Sequence, residues 1–173
     1  MIDDPTHQDR LQRNPHLAGF TGILQSKDGE AEGAEASCGA FGYLRGLNAA
    51  SAAVEIRFRD GNSIWFSYAL LGTWQYNPSE GLLLKFSGDL VYLVLIRGSN
   101  LDKPLNEGAI NLTHAGLQRH RVLWIKEMTK QEIRQVGDKG PTIDSIELAE
   151  FESNEQLKEW LKLKAPAFLH EPA

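Results

Sequence analysis

The fold of this chain is decided by residues 53–98, which read AVEIRFRDGNSIWFSYALLGTWQYNPSEGLLLKFSGDLVYLVLIRG. Short runs of apolar, aromatic and β-branched residues alternate here with turn residues, a pattern typical of successive antiparallel strands. The predicted strands are Val54–Arg59, Ser63–Leu71, Gly81–Phe86 and Leu90–Arg97. Turns rich in glycine, asparagine and proline separate them at residues 60–62, 77–81 and 87–89, because these residue types accept tight-turn conformations.

The faces of these strands differ along the stretch. Val54–Arg59 alternates apolar with charged side chains, which predicts a half-buried strand with one face in water. In contrast, Leu90–Ile96 is apolar on both faces. Such a strand either lies centrally, covered on both sides, or lines an interface.

The C-terminal region carries the clearest helix signal. Ser153 is a good N-cap residue, and Gln156 three positions later completes the capping-box pattern. Leu157 and Leu161 follow helical spacing, and Pro166 marks the end. The sequence therefore predicts an α+β fold: an antiparallel β-meander curled toward a small barrel or sandwich, with a C-terminal helix packed on it.

The chain length of 173 residues fits one domain with short extensions. We predict a flexible N-terminal arm at residues 1–17, a single α+β domain at 18–165 and a C-terminal tail at 166–173. Residues 109–127 fit either a helix or a strand, since Gly116 weakens a helix and the apolar run 122–125 is short.

Composition narrows the function classes. The formal net charge of −5 disfavours nucleic acid as a partner. No apolar run reaches membrane-spanning length, and the acidic first residues lack signal-peptide features, so we expect a cytoplasmic protein with no membrane contact. Cys38 is the single cysteine, which excludes an intrachain disulfide and favours a packed thiol.

The sequence offers no motif for catalysis or cofactor binding. Neither a phosphate-binding loop nor a dinucleotide fingerprint is present, and no serine lies in a Gly-x-Ser-x-Gly elbow. The histidines are scattered, without the short spacing of zinc ligands. We therefore predict no cofactor, no metal and no catalytic residue.

Candidate interaction residues come from two kinds of surface. Trp65 points opposite to Phe66, so with Arg57 and Arg59 nearby it would form a stacking platform for single-stranded nucleic acid if that face is open. The alternative is that the C-terminal helix or another subunit covers the face. The full candidate surface is Trp65, Arg57, Arg59, Leu93, Leu95, Arg119, Arg121 and Trp124.

Four segments of the chain resemble a group of short uncharacterised bacterial proteins. The segments are Val54–Gly61, Ser67–Leu71, Arg97–Leu101 and Arg119–Glu127, and the resemblance covers roughly the middle half of the chain. It implies a bacterial, cytoplasmic setting. The resemblance implies no catalytic or binding residues, because the shared residues are ones that form strands and turns or pack in a core.

Three functional hypotheses follow. The leading one is a non-enzymatic protein-interaction module, self-associating through the apolar fourth strand or the Arg119–Trp124 region, or binding an unknown protein partner. The second is a small-barrel binder of single-stranded nucleic acid that uses Trp65, Arg57 and Arg59. The third is an enzyme or small-ligand carrier with its site inside the curled sheet.

Overall fold

Two β-sheets make up most of the structure, a computed structural model that describes residues 32–105 and 110–169. The described strands are β1 (Glu35–Ser37), β2 (Phe41–Leu44), β3 (Ala53–Arg57), β4 (Ser63–Ser67), β5 (Leu71–Asn77), β6 (Gly81–Ser87), β7 (Val91–Ser99), β8 (Val122–Lys126) and β9 (Thr142–Phe151). The described helices are α1 (Lys130–Val136), α2 (Asn154–Lys164), a π-helix at Leu112–Leu117 and 3₁₀ turns at Tyr68–Leu70, Gly137–Lys139 and Pro166–Phe168.

The strands divide into a five-stranded and a four-stranded sheet. The first has the order β1-β2-β8-β3-β4 and the second the order β5-β6-β7-β9. Every pair is antiparallel except β3 with β8, which run parallel. β4 is therefore an edge strand of one sheet, and β5, the next strand along the chain, is an edge strand of the other.

The chain passes between the sheets in the middle of a predicted strand. Ser63–Leu71 was predicted as one strand, but β4 ends at Ser67 and a 3₁₀ turn follows. The Ser67 hydroxyl accepts a hydrogen bond from the Ala69 amide, and the buried Tyr68 donates its hydroxyl to the Val122 carbonyl at 2.8 Å. The prediction of one four-stranded meander is therefore wrong in this detail: the β3–β4 hairpin and the β5–β6–β7 meander belong to different sheets.

The two sheets pack face to face as a sandwich and do not close into a barrel. Phe66 of the first sheet stacks on Phe86 of the second, with ring centroids 4.3 Å apart. Ile56 and Leu84, one from each sheet, are fully buried in the same cluster. The predicted α+β fold with an antiparallel meander and a packed C-terminal helix is confirmed, with the sandwich as its form.

Helix α2 covers the outer face of the four-stranded sheet. Its residues Leu157 and Leu161 pack in one cluster with Leu93 and Leu95 of β7, which are 1% and 0% exposed. β7 is thus central and covered on both sides, which explains its two apolar faces. The prediction that Leu93 and Leu95 belong to an interaction surface is corrected, because α2 already occupies that face.

The C-terminal segment contributes to the same cluster. Ser153 caps α2 as predicted, accepting a hydrogen bond from the Gln156 amide, and the helix ends before Pro166. Residues 166–173 were predicted as a tail, but Phe168 is buried against the four-stranded sheet. Packing therefore extends beyond the predicted domain boundary at residue 165. The predicted arm at residues 1–17 lies outside the described residues.

Residues 109–127 contain both of the alternatives that the sequence left open. The described part forms the π-helix Leu112–Leu117 and then β8. The Asn111 side chain caps the π-helix by accepting a hydrogen bond from the Ala115 amide at 3.0 Å. No helix among the described residues has the length and apolar character that a membrane crossing requires.

Candidate interaction surface

The outer face of the five-stranded sheet brings the predicted aromatic residues into one row. In the register of the strands, Trp124 of β8 lies beside Glu55 of β3, and Glu55 lies beside Trp65 of β4. Val54, Ile56, Phe66 and Ile125, the neighbours of these residues along their strands, are buried between the sheets, so the row faces outward. We call the outward side chains of Glu55, Arg57, Trp65, Trp124 and Lys126 the tryptophan face.

Trp124 is held firmly in its place on this face. A Cβ atom at Gly42 would lie 2.2 Å from the indole Nε1, so the ring lies directly over the β2 backbone. Nε1 donates a hydrogen bond to the Glu35 carboxylate at 3.0 Å, and the Arg57 guanidinium carbon is 4.4 Å from the ring centroid. This cation–π contact and the hydrogen bond fix the ring orientation.

Trp65 is the one aromatic side chain among the described residues that is mostly exposed, at 63%. It occupies the middle of β4, the edge strand of the sheet. A side chain this large exposes much apolar area to water, and contiguous exposed apolar area is typical of binding surfaces.

The cations of the tryptophan face all have carboxylate partners. Arg57 donates to Glu55 at 2.8 Å, and Lys126 forms an ion pair with Glu132 on α1. The hydrogen bond from Arg57 lowers the pKa of the Glu55 carboxyl. The face is therefore close to neutral, which removes the charge excess that phosphate binding requires.

Arg59 has a structural role beside this face. Its guanidinium donates to the carbonyl oxygens of Met128 at 3.2 Å and Asp144 at 2.6 Å, and it forms an ion pair with Glu127 at 3.4 Å. Since Asp144 belongs to β9, Arg59 ties the end of the five-stranded sheet to the four-stranded one. Its predicted role in nucleic-acid stacking is therefore disfavoured.

The two remaining predicted arginines lie apart from the row. Arg121 is buried, and its Nε donates to the Leu44 carbonyl at 3.0 Å, so it is corrected from a surface residue to a structural one. Arg119 is exposed and lines an open depression of about 300 Å³ with His114 and Gln118. The structure thus brings together Trp65, Arg57 and Trp124, and it separates the other predicted residues from them.

A second open depression of about 300 Å³ lies at one end of the tryptophan face, lined in part by Glu55, Arg57, Ser63 and Lys126. Sequence reasoning missed Glu55 and Lys126 as members of the surface. Alternation alone places Glu55 beside Arg57. Lys126 had no such signal, because its position depends on the parallel pairing of β8 with β3.

The described residues provide little chemistry of other kinds. Within residues 32–105 and 110–169, no three His, Cys, Asp or Glu side chains cluster as metal ligands would. Cys38 is half-buried, its Sγ lies 3.6 Å from the Phe41 carbonyl, and burial raises the pKa of its thiol. A thiol with a raised pKa is a weak nucleophile at neutral pH.

The contact between Lys126 and α1 predicts a pH-dependent stability. The Glu132 carboxylate accepts hydrogen bonds from Lys126 and from the Thr129 amide, which together lower its pKa from 4.5 to about 2. A carboxyl with a lowered pKa stabilises the fold above pH 4.5, and this contribution disappears as the pH falls toward 2. Because the side chain is 34% exposed, solvent screening reduces the effect.

We expect Glu132→Gln to lower the free energy of unfolding by about 1 kcal/mol at pH 7 and by much less at pH 2. Glutamine still accepts the capping-box hydrogen bond, so the substitution isolates the charge. Urea unfolding at the two pH values measures the difference. A destabilisation that is the same at both pH values would show that the ion pair has no part in it.

Comparison of the chain with protein-family models, curated proteins and solved structures gave no significant match.

Proposed function

We propose that this chain is a non-enzymatic protein-interaction module, in a bacterial cytoplasmic setting, whose contact surface is the tryptophan face. The observation that carries the proposal is the exposure of Trp65, 63%, at the centre of an edge strand and in register with Trp124. Tryptophan and arginine are the residues most enriched among those that dominate binding energy at protein interfaces.

The charge of the face supports a protein partner over nucleic acid. Arg57, Lys126 and Arg59 each lie against a carboxylate of the same chain. The phosphates of a nucleic acid would have to displace these carboxylates from the cations before binding could release counterions. A protein surface can instead bury the indole of Trp65 and leave the ion pairs at the polar rim.

The core of the sandwich also supports a protein partner, in preference to a small molecule bound between the sheets. The side chains packed between the sheets are predominantly apolar, and the hydroxyl of Tyr68 already donates to the Val122 carbonyl. A small-molecule site needs several polar groups that converge on one cavity. The packed core therefore gives the third hypothesis less support than the open outer face gives the first.

Site-specific photo-crosslinking in living cells tests the proposal. The full chain would carry p-benzoylphenylalanine at Trp65 in one variant and at Ser67, which also faces outward, in a second. The control variant carries it at Leu163 on α2, which is 80% exposed. We expect a polypeptide to be captured from positions 65 and 67 and not from 163.

Two outcomes would reject this function. Equal capture from all three positions would mean that partners contact the tryptophan face no more than they contact the exposed side of α2. Absence of capture, combined with binding of a mixed single-stranded oligonucleotide pool that is lost at high salt, would favour nucleic acid instead.

A further inference from the structure

The free edge of β4 has main-chain groups that no described residue pairs with. Phe58 donates to the Asn62 carbonyl at 2.9 Å and Tyr68 donates to the Ala52 carbonyl at 2.9 Å, which fixes the hydrogen-bonding alternation of the β3–β4 hairpin. In an antiparallel pair, every second residue directs its N–H and C=O toward the neighbouring strand. Ser63, Trp65 and Ser67 therefore direct theirs away from β3, toward the open edge. The Ser67 carbonyl is the exception to this open set, because Ser67 is the N-cap of the 3₁₀ turn Tyr68–Leu70 and its carbonyl accepts the first bond of that turn.

This edge also lacks the features that keep sheet edges from pairing. Residues 63–77 contain no charged residue, no histidine and no proline, although 24% of the chain is charged. The same stretch supplies an edge strand to each sheet, β4 and β5. Monomeric proteins usually protect such edges with lysine, proline or inward-facing charges. A β-bulge also protects an edge, and β5 carries a register irregularity between Leu71 and Trp74, whereas β4 pairs with β3 in unbroken register. The β4 edge is therefore the one suited to pairing with another strand.

We propose that the partner of this module is a second copy of the chain, joined by antiparallel pairing of the two β4 strands about a twofold axis at Trp65. This inference rests on the proposed function and names its partner. The five-residue strand Ser-Ile-Trp-Phe-Ser is close to symmetric about its centre. Antiparallel pairing centred on Trp65 therefore places serine opposite serine, Ile64 opposite Phe66 and the two Trp65 residues opposite each other.

This register uses the outward main-chain groups that remain available. The two copies of Trp65 become a hydrogen-bonded pair, and the Ser67 amide of each copy donates to the Ser63 carbonyl of the other, for about four main-chain hydrogen bonds in total. The two tryptophan faces join into one sheet surface, in which the two Trp65 side chains pack as cross-strand neighbours.

The absence of charge in β4 favours a second copy of the chain at this edge. Two copies of a chain with net charge −5 repel each other. The uncharged stretch 63–77 lets them approach without placing like charges opposite one another across the paired strands. A twofold contact also needs a self-complementary patch, which the pattern of β4 supplies.

Light scattering on a sizing column, with the purified full chain at concentrations from about 1 to about 200 μM, tests the pairing. We expect the mass to rise toward twice that of the monomer. Trp65→Lys, which adds a charge at the twofold axis, should raise the dissociation constant at least tenfold. Leu163→Lys, at an exposed site on α2, should leave it unchanged. Circular dichroism checks that both variants are folded.

Cysteine crosslinking tests the register independently of Trp65. In a Cys38→Ser background, a mixture of the Ser63→Cys and Ser67→Cys variants should form a disulfide dimer on mild oxidation, because these positions lie opposite each other across the axis. Each variant alone should not, since its two cysteines would lie about four residues apart along the strands, roughly 13 Å.

The outcomes separate this inference from the proposed function. A purified chain that stays monomeric, while photo-crosslinking from position 65 captures a different polypeptide, would reject the second copy and keep the interaction module. A dimer that persists in the Trp65→Lys variant would also reject β4 pairing. Disulfide dimers that form as readily from either cysteine variant alone as from the mixture would reject it as well. A monomer with no captured polypeptide would reject both.

Discussion

Replacing Leu95 by alanine is expected to lower the free energy of unfolding by about 3 kcal/mol. Leu95 is fully buried on β7, in the cluster that joins the four-stranded sheet to Leu157 and Leu161 of α2. Truncation removes the apolar area of the side chain and leaves a cavity beneath the helix. The sheet and α2 are held on both sides of this cavity, so it can collapse only in part.

Urea unfolding followed by circular dichroism measures the loss. The matched control is Leu163→Ala, because Leu163 lies on the opposite, exposed side of the same helix and should change stability by less than about 0.5 kcal/mol. A Leu95→Ala loss as small as that of the control would contradict the assignment of Leu95 to the core, and would return it to the surface that its sequence also allowed.

Local patterns in the sequence were sufficient for the elements on which this prediction depends. The two apolar faces of β7 required either a central position or an interface, and the capped amphipathic helix near the C-terminus supplied a cover. Ser153 caps α2 as the sequence predicts. What the pattern could not say is that α2 lies on β7 in particular, because that contact joins segments about 60 residues apart.

The change of sheet at Tyr68 shows where local patterns fail. The residues from 63 to 71 continue an apolar and polar pattern that fits one long strand. The turn depends on the Tyr68 hydroxyl reaching the Val122 carbonyl, 54 residues away. A contact at this separation has no signal in the local sequence, so the prediction joined two strands that belong to different sheets.

The sequence likewise predicted some residues of the candidate surface correctly and others not. The outward direction of Trp65 followed from simple alternation with Phe66, and the structure places it there. The positions of the arginines could not be predicted in this way, because a charged side chain is expected at the surface whatever its contacts are. Arg121 is buried on the Leu44 carbonyl, and Arg59 is bonded to Met128 and Asp144. Only the tertiary structure distinguishes arginines that hold strands together from arginines that are free to bind a partner.

At Gly98 the backbone of β7 lies close against the backbone of β9. The register of the two strands shifts between Arg97 and Gly98, and a Cβ atom at Gly98 would lie 1.9 Å from the Thr142 carbonyl oxygen. The nearest atoms, which belong to Thr142 and Ile143, are all backbone atoms, so no flexible side chain can move aside to make room. We expect Gly98→Ala to force the strands apart and to lower the free energy of unfolding by about 3 kcal/mol.

Gly72→Ala is the matched control for this effect. Gly72 also lies in a strand, but the nearest atom to a Cβ there is the Lys85 carbonyl oxygen at 3.6 Å, an ordinary van der Waals contact. The control should keep the stability of the parent within about 0.5 kcal/mol, whereas Gly98→Ala should lower the melting temperature by roughly 10 °C. Similar melting temperatures for the two variants would mean that β9 can shift at this point without loss. The β7–β9 register, which positions the sheet beneath α2, would then depend on the longer run of pairs from Val91 to Arg97 and not on the bulge.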